Sequence, residues 1–581
     1  MAMRAVLIGA ISIILWLPSA AFSAADSHAP TTPIKHLIVV VGENRSFDHL
    51  FATYQPVAGQ NVFNLRSEGI INADGSPGRN FRKAQQWQAG DRGSYSITPT
   101  KAQPYGTLPQ PNANHALGLT PNEIDTRFPA TLPAGPFQIS KFVPYPLSYT
   151  GDPVHRFFQM WQQFDEGRND LFTWVGVSIG TGSNGRPPPS PFDNQSTHQG
   201  GVAMGFYNMS EGDVPVFKFI ADNYALSDNY HQGIMGGTGA DFIYLGTGDV
   251  AFYGDGNGNA RRPPENQIED PNPRTGTNNW YTQDGFSGGS YVNCSDEKQP
   301  GVKTILDYLK SINVSSRCEP DHFYLVNNYG PAYTAKGAPI DLKQHPFTLP
   351  PQTIPTFGEA LSKTGVSWKY YIGGHRGADE TWCSICNPLQ FSKVIMTTDL
   401  RDHIGDVSDF YNDVKDDALP SVSFVRPYEP YSGHPANSAV SAYEYFVLSI
   451  ANDVISRGTL FENTAIIVTF DEGGGYYDSG YIQTLDFFDD GTRTPLMIIS
   501  PYVAPGHMDH TYYDHGSILK FIEANWSVPP MSSRSRDNFP NPMANDNSYV
   551  PINQPAIGDL MKMFDFSHRR HDPPLIVPTG I

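Results

Sequence analysis

Five apolar runs rich in β-branched residues punctuate the chain, at 37–41, 366–371, 421–425, 465–470 and 496–500. Runs of this length without alternation predict strands buried on both faces, as in a parallel sheet. Segments with helical periodicity lie between and after them. The first, 356–363, precedes Gly365; the second, 439–457, is long, amphipathic and stopped by Gly458; the third, 517–526, follows the last strand. This alternation predicts an α/β fold with a mostly parallel central sheet and helices on both faces. No internal repeat or heptad pattern is present.

Two of the apolar runs end on acidic pairs, each led or formed by carboxylates and the first completed by an amide. The run at 37–41 leads through Gly42 into Glu43 and Asn44, and the run at 465–470 leads into Asp471 and Glu472, followed by Gly473, Gly474 and Gly475. An isolated acidic pair at a strand end is ordinarily solvated or caps a helix. Two such pairs at the carboxyl ends of buried strands stand where open α/β sheets bind ligands. Together their oxygens suit a hard divalent cation. Glycines after the second pair let backbone approach a ligand closely.

A hydroxyl among glycines, Thr238 in Gly236-Gly237-Thr238-Gly239, is a candidate nucleophile if a helix starts there, because helix N-termini favour phosphate. The plainer reading is an N-cap threonine. Histidines 155, 345, 434, 510 and 515 fall in predicted loops. A lone histidine is usually structural, but several in loops after strands suit proton transfer or anion binding.

Charge and composition narrow the class. The 581-residue chain carries a formal charge of -19, which argues against nucleic acid as a partner. Its 54 glycines and 50 prolines predict long structured loops, with loop-rich insertions near 54–135 and 251–300 inside one domain over 26–581. Residues 1–25 have a basic start, a short apolar middle and a small-residue end. They predict a signal peptide, and hence a periplasmic or secreted protein with no integral membrane segment in the mature chain. Four cysteines in an exported chain predict two disulfides, sensibly Cys294–Cys318 and Cys383–Cys386. Other pairings stay open, as does a redox or zinc role for the Cys383/Cys386 pair. The polar tail beyond 527 is expected to wrap the surface.

The stretch Gly42-Glu43-Asn44-Arg45-Ser46-Phe47-Asp48-His49 resembles the opening motif of the bacterial phosphoesterase family of secreted acid phosphatases and phospholipase C enzymes. Thr469-Phe470-Asp471-Glu472-Gly473-Gly474-Gly475-Tyr476-Tyr477-Asp478 resembles its late metal motif. Arg493-Thr494-Pro495, Ser500-Pro501-Tyr502 and Tyr513-Asp514-His515 follow in the family's order, so the likeness spans roughly 33–525. The resemblance implies an alkaline-phosphatase-like core. It implies one divalent cation (Ca, Mg, Mn or Zn) on Glu43, Asn44, Thr238, Asp471 and Glu472. It also implies Thr238 as nucleophile, His434 as the acid that protonates the leaving group, and His155 and His345 as phosphoryl contacts.

The expected reaction is hydrolysis of a small phosphorylated substrate through a phosphothreonine. An acidic chain ending about 55 residues after its last core helix favours an acid phosphatase. The alternatives are a phospholipase C acting on a phospholipid head group, a sulfatase or phosphonate hydrolase, and an inactive exported binding protein.

Overall fold

The computed structural model describes residues 29–577, except 91–92, 112–123, 148–149, 179–198, 274–287 and 378–380. The expected signal peptide lies outside the described residues. Eight strands form the central sheet: β1 (His36–Gly42), β2 (Ala225–Ser227), β3 (Trp368–Ile372), β4 (Ile404–Gly405), β5 (Val422–Arg426), β6 (Thr464–Phe470), β7 (Leu496–Ile499) and β8 (His507–Asp509). Their order is β4-β3-β5-β1-β6-β7-β2-β8. Only β7 runs against the rest, pairing antiparallel with both β6 and β2. All five predicted strands are present within one or two residues of their expected ends. β2, β4 and β8 were not anticipated: each has two or three residues, too few to show a hydrophobic period.

The centre of the sheet is its most apolar part. Every residue of β6 is buried, and so is β1 beyond His36. Burying each such Val, Ile or Leu side chain contributes about 1.5–3 kcal/mol, so truncation at Ile467 would cost about 2–5 kcal/mol. The core around these strands draws side chains from Ile34 to Ile576.

The helices follow their sequence signals closely. A capping box starts α1 (Phe357–Thr364): Thr356 Oγ1 accepts from Glu359 N, and Glu359 Oε2 accepts from Thr356 N. Gly365 ends it in the left-handed region at φ 75°. α2 (Val440–Ser456) stops differently than expected. Arg457 is its cap, and Gly458 opens the next short helix, Gly458–Phe461, without a positive φ. α3 (Gly516–Trp526) follows β8. Both predicted disulfides are formed, Cys294–Cys318 and Cys383–Cys386.

The tail is more deeply embedded than its polar sequence suggests. Arg536 is buried and pairs with Asp486 at 2.6 Å and Asp490 at 3.1 Å, while Ile557, Leu560 and Met563 are buried too. No helix among the described residues is long and apolar enough to cross a membrane.

One buried acid on α2 has a measurable consequence. Glu444 accepts from Phe217 N at 2.8 Å and from the Tyr145 hydroxyl. Burial raises its pKa from 4.5 to about 8. Between those values the folded chain holds a proton that the unfolded chain has lost, so stability falls as pH rises through that window. Glu444→Gln is uncharged throughout and removes the slope. Denaturant unfolding from pH 5 to 8 will show the parent losing about 1 kcal/mol per pH unit more than the variant. Parallel curves would rule the assignment out.

Candidate active site

The two acidic pairs meet because β1 and β6 are adjacent, parallel and in register, with Gly42 opposite Phe470. Whatever follows these residues must emerge side by side at one sheet edge. Asp471 N donates to Gly42 O at 3.0 Å, and Arg45 N to Glu472 O at 2.9 Å. Asn44 sits in the left-handed region at φ 64° and donates its N–H to Asp471 Oδ1 at 3.1 Å. Asparagine tolerates that conformation better than most residues. Gly474 has φ +59°, and a Cβ there would come within 2.6 Å of Asn44 Cβ. One at Gly475 would come within 2.3 Å of Val154 O. The glycines therefore let the acidic turn close onto Asn44 and onto the segment before His155.

A ten-residue helix, α4 (Thr238–Thr247), brings the hydroxyl to this edge from 234 residues away in sequence. Gly237 is its N-cap, so the Thr238 side chain does not cap the helix. Its Oγ1 donates to Glu472 Oε1 at 2.9 Å instead. Asn328 holds the turn by accepting from Gly239 N at 2.7 Å. Thr238 and Glu43 line a cavity of about 250 Å³ together with His434.

The electrostatics beneath this cavity are strongly unfavourable unless positive charge is present. Burial raises the pKa values of Asp471, Glu472 and Asp241 well above the ordinary range. Their mutual repulsion raises them further, Glu43 acting on Asp471 and Asp152 on Glu472. Four buried oxygens here have no hydrogen-bond partner among the described residues: Asn44 Oδ1, Asp471 Oδ2, Glu472 Oε2 and Asp241 Oδ2. Orphaned oxygens in a carboxylate cluster fit a hard divalent cation. Glu43 is partly engaged elsewhere, since it pairs with buried Arg426 and its Oε1 touches Cys386 Sγ at 2.9 Å. Glu43, Glu429, Cys383 and Cys386 also gather potential donor atoms within 4.8 Å of one another. The two sulfurs are bonded to each other and offer no thiolate there.

The predicted histidines divide. His434 joins the cavity wall, with Nε2 3.6 Å from Asp152 Oδ2. Burial lowers its pKa to about 4, against the opposing field of Glu429 and aided by Arg45 and Arg426. His155 is fully buried behind the acidic pairs. Its Nδ1 lies 2.7 Å from Pro153 O, so the proton belongs there. Nε2 then faces Asn44 Nδ2 at 3.4 Å and Glu472 Oε1 at 3.8 Å. His345 is exposed and lines a neighbouring cavity, not the one that holds Thr238. His515 supports the site through backbone, with Nε2 2.5 Å from Asp471 O, while His510 pairs with Asp228 at 2.7 Å.

Several contributors escaped sequence reasoning. Asp241 lies three residues after Thr238, one helical turn on, and that spacing was a usable signal. Asp152, three residues before His155, faces both His155 and His434. Arg45 bonds Gly433 O through Nε and Nη2 at 2.8 and 2.6 Å, which fixes the backbone next to His434. Arg426 lies at the tip of β5, beside β1, and no local pattern announces its partner.

The chain is similar to several curated proteins. It is 24% identical over 540 residues to phospholipase C B of Mycobacterium tuberculosis, covering 88% of this chain and 76% of the relative. It is 20% identical to the hemolytic phospholipase C of Pseudomonas aeruginosa, covering 92% of this chain and 56% of that one. A probable acid phosphatase of Kluyveromyces lactis is 26% identical over 205 residues, covering 33% of this chain and 46% of its own. A solved phosphonate monoester hydrolase from Silicibacter pomeroyi aligns over 55% of this chain and 69% of its own, at 12% identity and a TM-score of 0.18. The sequence profile of the Phosphoesterase family matches residues 34–529, a span that takes in both acidic pairs, Thr238 and His434, and the chain therefore belongs to the Phosphoesterase family, as a phosphoric ester hydrolase.

Proposed function

We propose that the chain is an exported phosphomonoesterase, built on an alkaline-phosphatase-like plan, in which Thr238 is the nucleophile. One observation carries this reading: the Thr238 hydroxyl donates at 2.9 Å into a buried cluster of carboxylates at the sheet edge. Asn44, Asp471 and Glu472, with Glu43 and the Thr238 hydroxyl, would hold one divalent cation. The all-oxygen set suits Ca²⁺, Mg²⁺ or Mn²⁺, and Zn²⁺ becomes competitive if His155 Nε2 joins it. When bound, such an ion supplies the positive charge that acidifies the hydroxyl and neutralises phosphoryl oxygens.

The side chains account for the rest of the chemistry. Glu472 Oε1 orients the Thr238 hydroxyl and receives its proton as Oγ1 attacks phosphorus. The start of α4 adds a favourable dipole for the anion. His434, whose Nε2 lies 3.6 Å from Asp152 Oδ2, delivers a proton to the departing alcohol. Water then attacks the phosphothreonine with neutral His434 as base, and Glu472 returns its proton to the departing Thr238 Oγ1. Because burial holds His434 near pKa 4 in the free enzyme, its protonated fraction falls about tenfold per pH unit above that value. Phosphorylation of Thr238 is favoured by acidic pH, whereas dephosphorylation is favoured once His434 has lost its proton.

The small polar cavity favours a monoester. The exposed large apolar residues, such as Val57, Ile312 and Met543, are scattered along the chain. The second reading, phospholipase C, draws on the similarity to the Mycobacterium tuberculosis protein across most of both chains. Assaying a chromogenic phosphomonoester beside phosphatidylcholine separates the two. Cleavage of the lipid alone would overturn the monoesterase reading. In the same assay His434→Asn should lose about 10²-fold or more on alkyl esters and much less on aryl esters, whose leaving groups need no proton. Equal losses on both would remove His434 from that role.

A further inference from the structure

The cavity shared by Thr238 and His434 adjoins a second one of about 560 Å³, and Trp382 and Ser384 line both. The loop between them is tied by the Cys383–Cys386 disulfide. Beyond it the second cavity is lined by Tyr333 and Ile340, with Lys336, His375 and Arg376 among its polar residues. Tyr333 sits on a short hairpin, bridged to Pro339, and Gln390 donates to its carbonyl at 2.8 Å.

Two features point to a ligand. The Trp382 indole N–H is buried and has no acceptor among the described residues. A buried donor without an acceptor is rare and calls for a partner supplied from outside the chain. Lys336 is exposed and pairs with no carboxylate among the described residues, although the chain carries a formal charge of -19. Arg376 adds a second positive charge there, shared with Asp409.

We propose that this second cavity is the leaving-group subsite, and that it takes an alcohol bearing a planar heteroaromatic ring, of which a nucleoside is the plainest case. Tyr333 and Trp382 supply aromatic surface for the ring. The Trp382 N–H offers a donor to a ring nitrogen or exocyclic oxygen. Lys336 and Arg376 disfavour a cationic alcohol such as choline. The inference rests on the Thr238 reading and narrows its substrate class. In the reaction the ester P–O bond breaks, a Thr238 Oγ–P bond forms, and the nucleoside oxygen leaves with a proton from His434. Water then releases inorganic phosphate.

Adenosine 5′-monophosphate and ribose 5-phosphate make the test, since they share the scissile ester and differ by the base. The parent enzyme should favour the nucleotide in kcat/KM by about tenfold or more. Tyr333→Ala and Trp382→Ala should each bring that ratio close to one, and phosphocholine should be the poorest substrate of the three. Because Tyr333 is buried, Ile340→Asp on the half-exposed wall serves as a second variant with the same expected effect. Titration calorimetry of adenosine against the Thr238→Ala protein reads the subsite without turnover. Adenosine binding that Trp382→Ala abolishes, in a protein that hydrolyses no monoester, would uphold the subsite and sink the monoesterase reading. Hydrolysis of both esters at equal kcat/KM, with no adenosine binding, would sink the subsite and leave the monoesterase standing.

Discussion

Thr238→Ala will reduce turnover of a phosphomonoester by on the order of 10³-fold or more while leaving cation binding largely in place. The expectation follows from where the hydroxyl sits: 2.9 Å from Glu472 Oε1, at the first position of α4, in a cavity that His434 also lines. Removing one hydroxyl takes away the proposed nucleophile and one of the five proposed cation ligands, and leaves the Glu43, Asn44, Asp471 and Glu472 oxygens where they are. Thr238→Ser restores a hydroxyl on the same carbon and should recover most of the rate. Acid quenching of the parent during turnover should give a peptide containing Thr238 that is heavier by one phosphoryl group. Full activity in the alanine variant, or label on any other residue, would refute the assignment.

Charge removal beneath the hydroxyl should act with opposite signs on stability and on function. Asp471 is fully buried, raised by burial and then by Glu43, and it shares its surroundings with Glu472 and Asp241. In chelator-treated protein that crowding is uncompensated. Asp471→Asn should therefore stabilise the chelator-treated protein at pH 8, because a carboxyl whose pKa burial has raised costs stability while it is charged. The gain should shrink as pH falls, because the parent carboxyl then takes up a proton and loses its charge. Function should move the other way. The parent should gain about 2.7 kcal/mol at a cation concentration a hundredfold above Kd. The variant should lose that gain together with its activity. Thermal unfolding with and without added Mg²⁺, Mn²⁺, Ca²⁺ or Zn²⁺ measures both arms. A variant that keeps the full cation-induced shift would show that Asp471 is no ligand.

Much of this site is legible in the amino-acid sequence, and the legible parts share one property: their information is local. The runs at 37–41 and 465–470 are apolar on both faces, so they declare buried strands, and the acidic pairs at their ends declare an edge. Thr238 among glycines declares a helix start, and the structure places α4 there. Thr356 with Glu359 declares a capping box and forms one. Gly458 shows the limit of such signals. Glycine after an amphipathic run is the common stop, yet here the chain re-enters helix at that residue.

The parts that could not be read depend on which strands become neighbours. Arg426 reaches Glu43 because β5 lies beside β1, a pairing across more than 380 residues. Asp152 reaches His434 from a segment with no periodic pattern at all. His345 and His155 were both expected to contact the phosphoryl group, and the fold separates them, one exposed on a neighbouring cavity and the other buried behind the acidic pairs. The tail was expected on the surface, but the carboxylates of Asp486 and Asp490 draw Arg536 inward.

By itself, then, the sequence determined the sheet-forming runs, the acidic pairs that end two of them, the candidate hydroxyl and the sensible cysteine pairing, because hydrophobic period and strand-end chemistry act over a few residues. Only the tertiary structure decided that Thr238 bonds Glu472, that Arg426 takes one side of Glu43, and that His434 rather than His345 lines the cavity that holds Thr238. Strand order and register bring those groups together across hundreds of residues, and no local pattern encodes them.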